Sequence, residues 1–174
     1  MASSKKYNWL PDFVYGGIDG VVTTFAVVAG VRGADLAITI VLILGFANLF
    51  ADGFAMAVGK YSSDKATLQH LSADAVHREE INPVLGGFFT FLAFNLIGVV
   101  PLLGYMIGGA LDWTPDSIFI VTSGATLFAL FLIGVVKGKV VDVSKIWSGI
   151  ETMLVGGLAA IIAYYVGFYL EKLI

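Results

Sequence analysis

The chain has 174 residues, 58% of them hydrophobic and 13% charged, with a mean hydropathy of +0.90. A soluble domain is about half apolar and about a quarter charged, so this composition excludes an ordinary soluble fold and indicates an integral membrane protein. A net charge of −3 gives no reason to expect a nucleic-acid partner, and the absence of cysteine removes disulfides, thiolate metal sites and cysteine nucleophiles together.

A bilayer core takes about 20 apolar residues per helix. Five stretches qualify: roughly 12–31, 36–61, 83–111, 117–136 and 146–170. The expected fold is therefore all-α, a single membrane domain over 1–174 with five transmembrane helices and a short cytoplasmic connector at 62–82. Lys5 and Lys6 ahead of the first run resemble a signal peptide. That run spans about 20 residues with no small-residue cleavage site after it, which predicts an uncleaved first span.

The first span carries Asp12 and Asp19. A charge at bilayer depth costs roughly 2.5–3.5 kcal/mol on insertion scales and persists mainly on ion or proton pathways. Seven positions apart, the two acids can share a helix face about 10 Å apart. Asp19 reads either as a cation ligand and proton acceptor or as a structural anchor hydrogen-bonded to Thr23. Burial favours a neutral acid and a nearby cation favours the carboxylate, so a buried aspartate can exchange a proton for a metal ion. Asp12, beside Trp9 and Pro11 at the predicted edge, reads equally as a ligand or as an interfacial helix cap.

On the second span Asn48, Asp52 and Met56 recur at i, i+4 and i+8, forming one stripe. Methionine in an apolar helix is ordinarily core filler. Two oxygen donors with a thioether, however, suit a borderline transition ion better than Mg²⁺ or Ca²⁺. The connector holds His70, His77, Glu79 and Glu80, which read as a solvated amphipathic segment or as a cytosolic metal-loading site.

Asn82–Pro83 and Thr114–Pro115 each place a capping side chain before a proline, marking the starts of the third and fourth spans. Pro101 inside the third run predicts a kink. Asn95 and Glu151 read as structural, the latter pairing with Lys145 or Lys139.

Orientation follows from the basic residues. Lys5, Lys6, Lys60, Lys65, Arg78, Lys137, Lys139 and Lys145 fall on one side, and only Arg32 and Lys172 on the other. The N-terminus is expected in the cytoplasm and the C-terminus outside or in a lumen. An odd number of spans cannot form two equal inverted repeats, so a homodimer is the simplest source of symmetric pathway walls. Gly16–Gly20, Gly104–Gly108 and Gly134–Gly138 fit the spacing for close helix approach. No G-x-S-x-G, H-E-x-x-H or Walker loop is present, so no enzyme activity and no ATP-driven pumping are expected.

The segments DFVYGGIDGVVTTFAVVAG (12–30) and GFANLFADGFAMAVGKYSSDKA (45–66) resemble the first two helices of the vacuolar iron transporter family. Similarity continues through NPVLGGFFTFLAFNLIGVVPLL and SGIETMLVGGLAAIIAYYVG. The resemblance implies five helices, a homodimer, a pathway lined by the first helices, and proton-coupled export of Fe²⁺ from the cytosol. It places Asp12, Asp19 and Met56 on positions implicated in metal passage. Family members often carry glutamate where this chain has Asn48, with Asp52 offering a carboxylate one turn later. The long cytosolic metal-binding helices of many members are missing, as in the shorter nodulin-like branch.

The expected activity is thus Fe²⁺ or Mn²⁺ export in exchange for protons, with metal at Asp12, Asp19, Asn48, Asp52 and Met56 and proton coupling at Asp19 and Asp52. The metal is cargo, and no cofactor is expected. The alternatives are an uncoupled uniporter or channel, and a non-transporting membrane assembly protein. The compact chain favours a prokaryotic plasma membrane, or a vacuolar membrane in a eukaryote.

Overall fold

A computed structural model describes residues 7–70 and 81–174, and all of the regular structure among them is helical. The helices are α1 (Leu10–Gly33), α2 (Ile38–His70), α3 (Pro83–Gly98), α4 (Val100–Ala110), α5 (Pro115–Val140) and α6 (Lys145–Glu171). With α3 and α4 counted as one broken rod, five are long and apolar enough to cross a membrane. The chain is an integral membrane protein of five helical spans. Side chains such as Ile43, Phe54, Ile120 and Leu154 face outward, as expected of an outer surface solvated by lipid.

Local sequence sets most of the boundaries. The Asn82 side chain accepts from the Leu85 N–H at 3.1 Å, and Thr114 Oγ1 accepts from the Ser117 N–H at 3.3 Å. Each cap satisfies one of the helix's orphan donors. The third span breaks at Val99, two residues before Pro101. Proline has no N–H to offer Ile97 and its ring crowds that carbonyl. Val99 stays in the right-handed helical region (φ −70°, ψ −19°), so the rod kinks without reversing.

Helices α1, α4 and α5 end on aspartates with positive φ: Asp35 (49°), Asp112 (53°) and Asp142 (55°). The following residue's N–H reaches back to the helix in each case: Leu36 to Val31 O, Trp113 to Gly108 O, Val143 to Gly138 O. This is the Schellman closure, with aspartate at the position usually held by glycine.

The centre of the bundle is α1, which packs against α3 on one side and α6 on another. A Cβ on Gly16 or Gly20 would overlap the main-chain carbonyl of Thr90 or Phe94 on α3. Only glycine permits that approach. The other two small-residue pairs also work within one chain. Gly104 and Gly108 meet Thr122 and Ile118 on α5, and Gly134 and Gly138 meet the start of α6. Dispersion and shape drive such packing in lipid, where no hydrophobic effect operates between helices.

Helix α2 does not stop where its apolar run stops near Tyr61. It continues to His70, because SSDKATLQH contains no helix breaker and ends the hydrophobicity without ending the propensity.

Candidate metal pathway between the first two helices

The antiparallel arrangement of α1 and α2 brings Asp12 opposite Lys60 and Asp19 near Asp52. By the same register, Met56 falls beside Tyr15. Asp19 lies about 13 Å along α1 from its first residue and Asp52 about 21 Å along α2 from its own. The five candidate positions thus occupy successive levels.

Near the predicted cytoplasmic end, a cleft of about 690 Å³ opens between the two helices, lined by Asp12, Tyr15, Met56, Gly59, Lys60 and Ser63. Asp12 and Met56, from separate helices, therefore share one cavity. Asp12 is buried and its two oxygens are both engaged. Tyr7 donates its hydroxyl to Oδ2, while Lys60 Nζ lies 3.0 Å from Oδ1. Lys60 also reaches Asp64 Oδ1 at 2.6 Å, one turn along its own helix. A Cβ on Gly86 of α3 would meet Asp64 Oδ2 at 2.6 Å, so the network is seated against a bare stretch of the third span.

Tyr7 and Trp9, just ahead of α1, are held beside this network by aromatic contacts. Trp9 stacks on Phe89 at 5.4 Å and meets Phe13 edge-on at 5.6 Å, while Tyr7 lies 6.3 Å from Phe89. Burial, and then the hydrogen bond to Asp12, push the Tyr7 phenol pKa up. Tyr7 therefore remains a donor at physiological pH.

One level deeper, Asp19 and Asp52 are both half-buried and close enough to interact coulombically. No donor or cation among the described residues reaches either carboxylate. Thr23, a candidate partner of Asp19, donates instead to its main-chain carbonyl at 2.8 Å. Two like charges at membrane depth would leave a deficit for a cation or protons to fill. Asn48, one turn farther along α2, is half-buried, and Met56 also packs against the central apolar cluster.

Other positions settle differently. Glu151 pairs with Lys137 at 3.0 Å rather than with Lys145 or Lys139, because the α5–α6 hairpin brings the last turn of α5 across to the second turn of α6. Asn95 donates to Phe91 O within its own helix at 2.9 Å, a structural role. His70 ends α2 exposed, and His77, Glu79 and Glu80 lie outside the described residues. Among the described residues no three His, Cys, Asp or Glu side chains gather into a metal cage. Tyr7, Lys60 and Asp64 are the site residues that sequence reasoning missed. The i, i+4 spacing of Lys60 and Asp64 was the available signal, and Lys60 read only as a topology charge.

The profile of the VIT family matches residues 10–81 and 68–168. The chain belongs to the VIT family. It is 26% identical to a vacuolar iron transporter of Toxoplasma gondii, an alignment covering 99% of this chain and 78% of that protein. It is 29% identical to vacuolar iron transporter homolog 1 of Arabidopsis thaliana, covering 98% and 86% respectively. The Toxoplasma alignment runs over 234 positions and the Arabidopsis one over 182. The former therefore includes a stretch absent from this 174-residue chain, and the division of the family match at 68–81 points to the connector.

Proposed function

We propose that this VIT-family protein carries Fe²⁺, and also Mn²⁺, out of the cytosol in exchange for protons. The observation that carries the reading is the Asp19–Asp52 pair: two half-buried carboxylates near enough to interact coulombically, with no cation among the described residues reaching either. Its relatives are named vacuolar iron transporters, which supports metal as the cargo. The oxygen donors Asp12, Asp19, Asn48 and Asp52 and the thioether of Met56 form a mixed set suited to borderline ions.

The active form is a homodimer. In a single chain the cleft beside α1 and α2 is open, and Asp19 and Asp52 are only half covered. Charged groups facing lipid are costly, and a second copy seated on this face encloses them and doubles the donor set. The excess of basic residues on one side supports a cytosolic N-terminus and a cleft open to the cytosol.

Flux into proteoliposomes of purified protein, measured for a panel of divalent ions with and without a pH gradient, tests the reading. Transition-metal uptake that Asp19→Asn abolishes supports it. Uptake indifferent to the gradient favours a uniporter, and no uptake of any ion favours a structural role.

A further inference from the structure

We infer that Lys60 is a tethered counter-ion that closes the cytosolic mouth of the pathway, and that Asp64 is the post to which it retires when metal takes Asp12. The inference rests on the transport reading and adds to it a residue that sets metal affinity.

The geometry is specific. The Lys60 ammonium touches Asp12 at 3.0 Å and Asp64 at 2.6 Å, with both carboxylate side chains largely buried. Lys60 itself lines the cleft shared by Asp12 and Met56. Any cation approaching Asp12 from the cytosol must therefore compete with a cation covalently attached to the wall. The competitor is a flexible, compact charge on a four-carbon stem, so it can release one carboxylate without its helix moving. Its shorter contact is to Asp64, on the same face of α2. Releasing Asp12 thus breaks one ion pair and keeps the other.

Asp12 is also held from the far side by Tyr7, which engages only Oδ2. When Lys60 withdraws, Oδ1 is the oxygen exposed to the cleft, with the Met56 thioether in the same cavity. A monovalent ion offers Asp12 no more charge than Lys60 already does. A divalent ion does, so displacement favours divalent cargo.

Opposite effects of the two neighbours test the inference. Removing the competitor with Lys60→Met should lower the KM for Mn²⁺ uptake into proteoliposomes by at least about fivefold, a modest coupling between two ligands of one group. Removing the retiring post with Asp64→Asn should raise KM by a similar factor, because Lys60 then holds Asp12 alone. In the double variant Lys60→Met/Asp64→Asn the loss of Asp64 should no longer matter, so KM should fall below wild type. The double variant keeps the net charge and guards against a single variant that does not fold.

Equilibrium Mn²⁺ binding to detergent-purified protein should follow the same order. If binding follows this order while wild-type vesicles take up no metal, the transport reading fails and the competition stands. If neither KM nor Mn²⁺ affinity changes on removing Lys60, or if both variants weaken binding alike, Lys60 is a brace between helices and the inference is wrong.

Discussion

Asp19 on α1 lies near enough to Asp52 on the antiparallel α2 for the two to interact coulombically, and among the described residues no cation reaches either carboxylate. Asp19→Asn keeps the side-chain size and an acceptor oxygen but removes the charge. Transport should fall to the level of protein-free vesicles while the purified protein stays monodisperse. Asp52→Ala should be nearly as inactive, and adding Asn48→Glu one turn away should restore part of the flux. Full flux in either single variant would make that aspartate a packing residue.

Met56 should govern which metal passes. It lines the cleft with Asp12 and is the soft donor there. Met56→Leu nearly conserves volume and should cost less than about 1.5 kcal/mol in packing. Fe²⁺ uptake should weaken relative to Mn²⁺, the harder ion. Identical competition profiles for the variant and the wild type would reduce Met56 to filler.

Gly20 should be indispensable to the fold. Its missing side chain lets α1 rest on the main chain at Phe94, and backbone yields less readily than a flexible side chain. Gly20→Ala should destabilise the protein by about 1–3 kcal/mol, read as a lower midpoint of thermal unfolding in detergent. Gly124→Ala is the contrast, because a Cβ there meets nothing within 4 Å. It should be neutral or stabilising by about 0.5–1 kcal/mol through helix propensity. Equal effects at the two positions would refute the close-packing account.

These cases separate what was legible in the sequence from what was not. The five spans, the Asn82 and Thr114 caps and the Pro101 break are written locally, because hydropathy, cap chemistry and a missing N–H act within a turn or two. Asp19, Asp52 and Met56 stood out as polar or soft groups at membrane depth, and Asp12 at its predicted edge. The ties of Lys60 to Asp12 and of Lys137 to Glu151 depend on how two antiparallel helices register. No local pattern encodes that. The glycine pairs show the same limit: their spacing announced close contact, and only the bundle decides with which helix.

The face that carries the cleft should meet a second copy. Tyr15 is well exposed there, and the chain has no native cysteine. Tyr15→Cys in native membranes should give a disulfide-linked dimer under mild oxidation. Ile120→Cys, on the outward side of α5, should remain monomeric on a denaturing gel. The reverse pattern would move the dimer contact to α5 and leave the cleft facing lipid.

Transport against a gradient should consume a proton gradient. Accumulation requires a coupled ion, and in the proposed exchange Asp19 and Asp52 would take either metal or protons. Protons arriving on the acidic side would cancel the site's attraction for a divalent ion and release the metal. On the cytosolic side the protons would leave and the site would again attract metal. An inward-acidic gradient should therefore accelerate metal uptake, and uptake should alkalinise the lumen as seen with a trapped pH dye. Collapsing the gradient with a protonophore should slow accumulation and leave only downhill flux. Asp19→Asn should abolish the dye signal together with the flux, which ties the proton to the same site as the metal. Metal moving at full rate while the dye stays silent at every pH would identify an uncoupled uniporter, in which Asp19 and Asp52 attract the cation but exchange nothing for it.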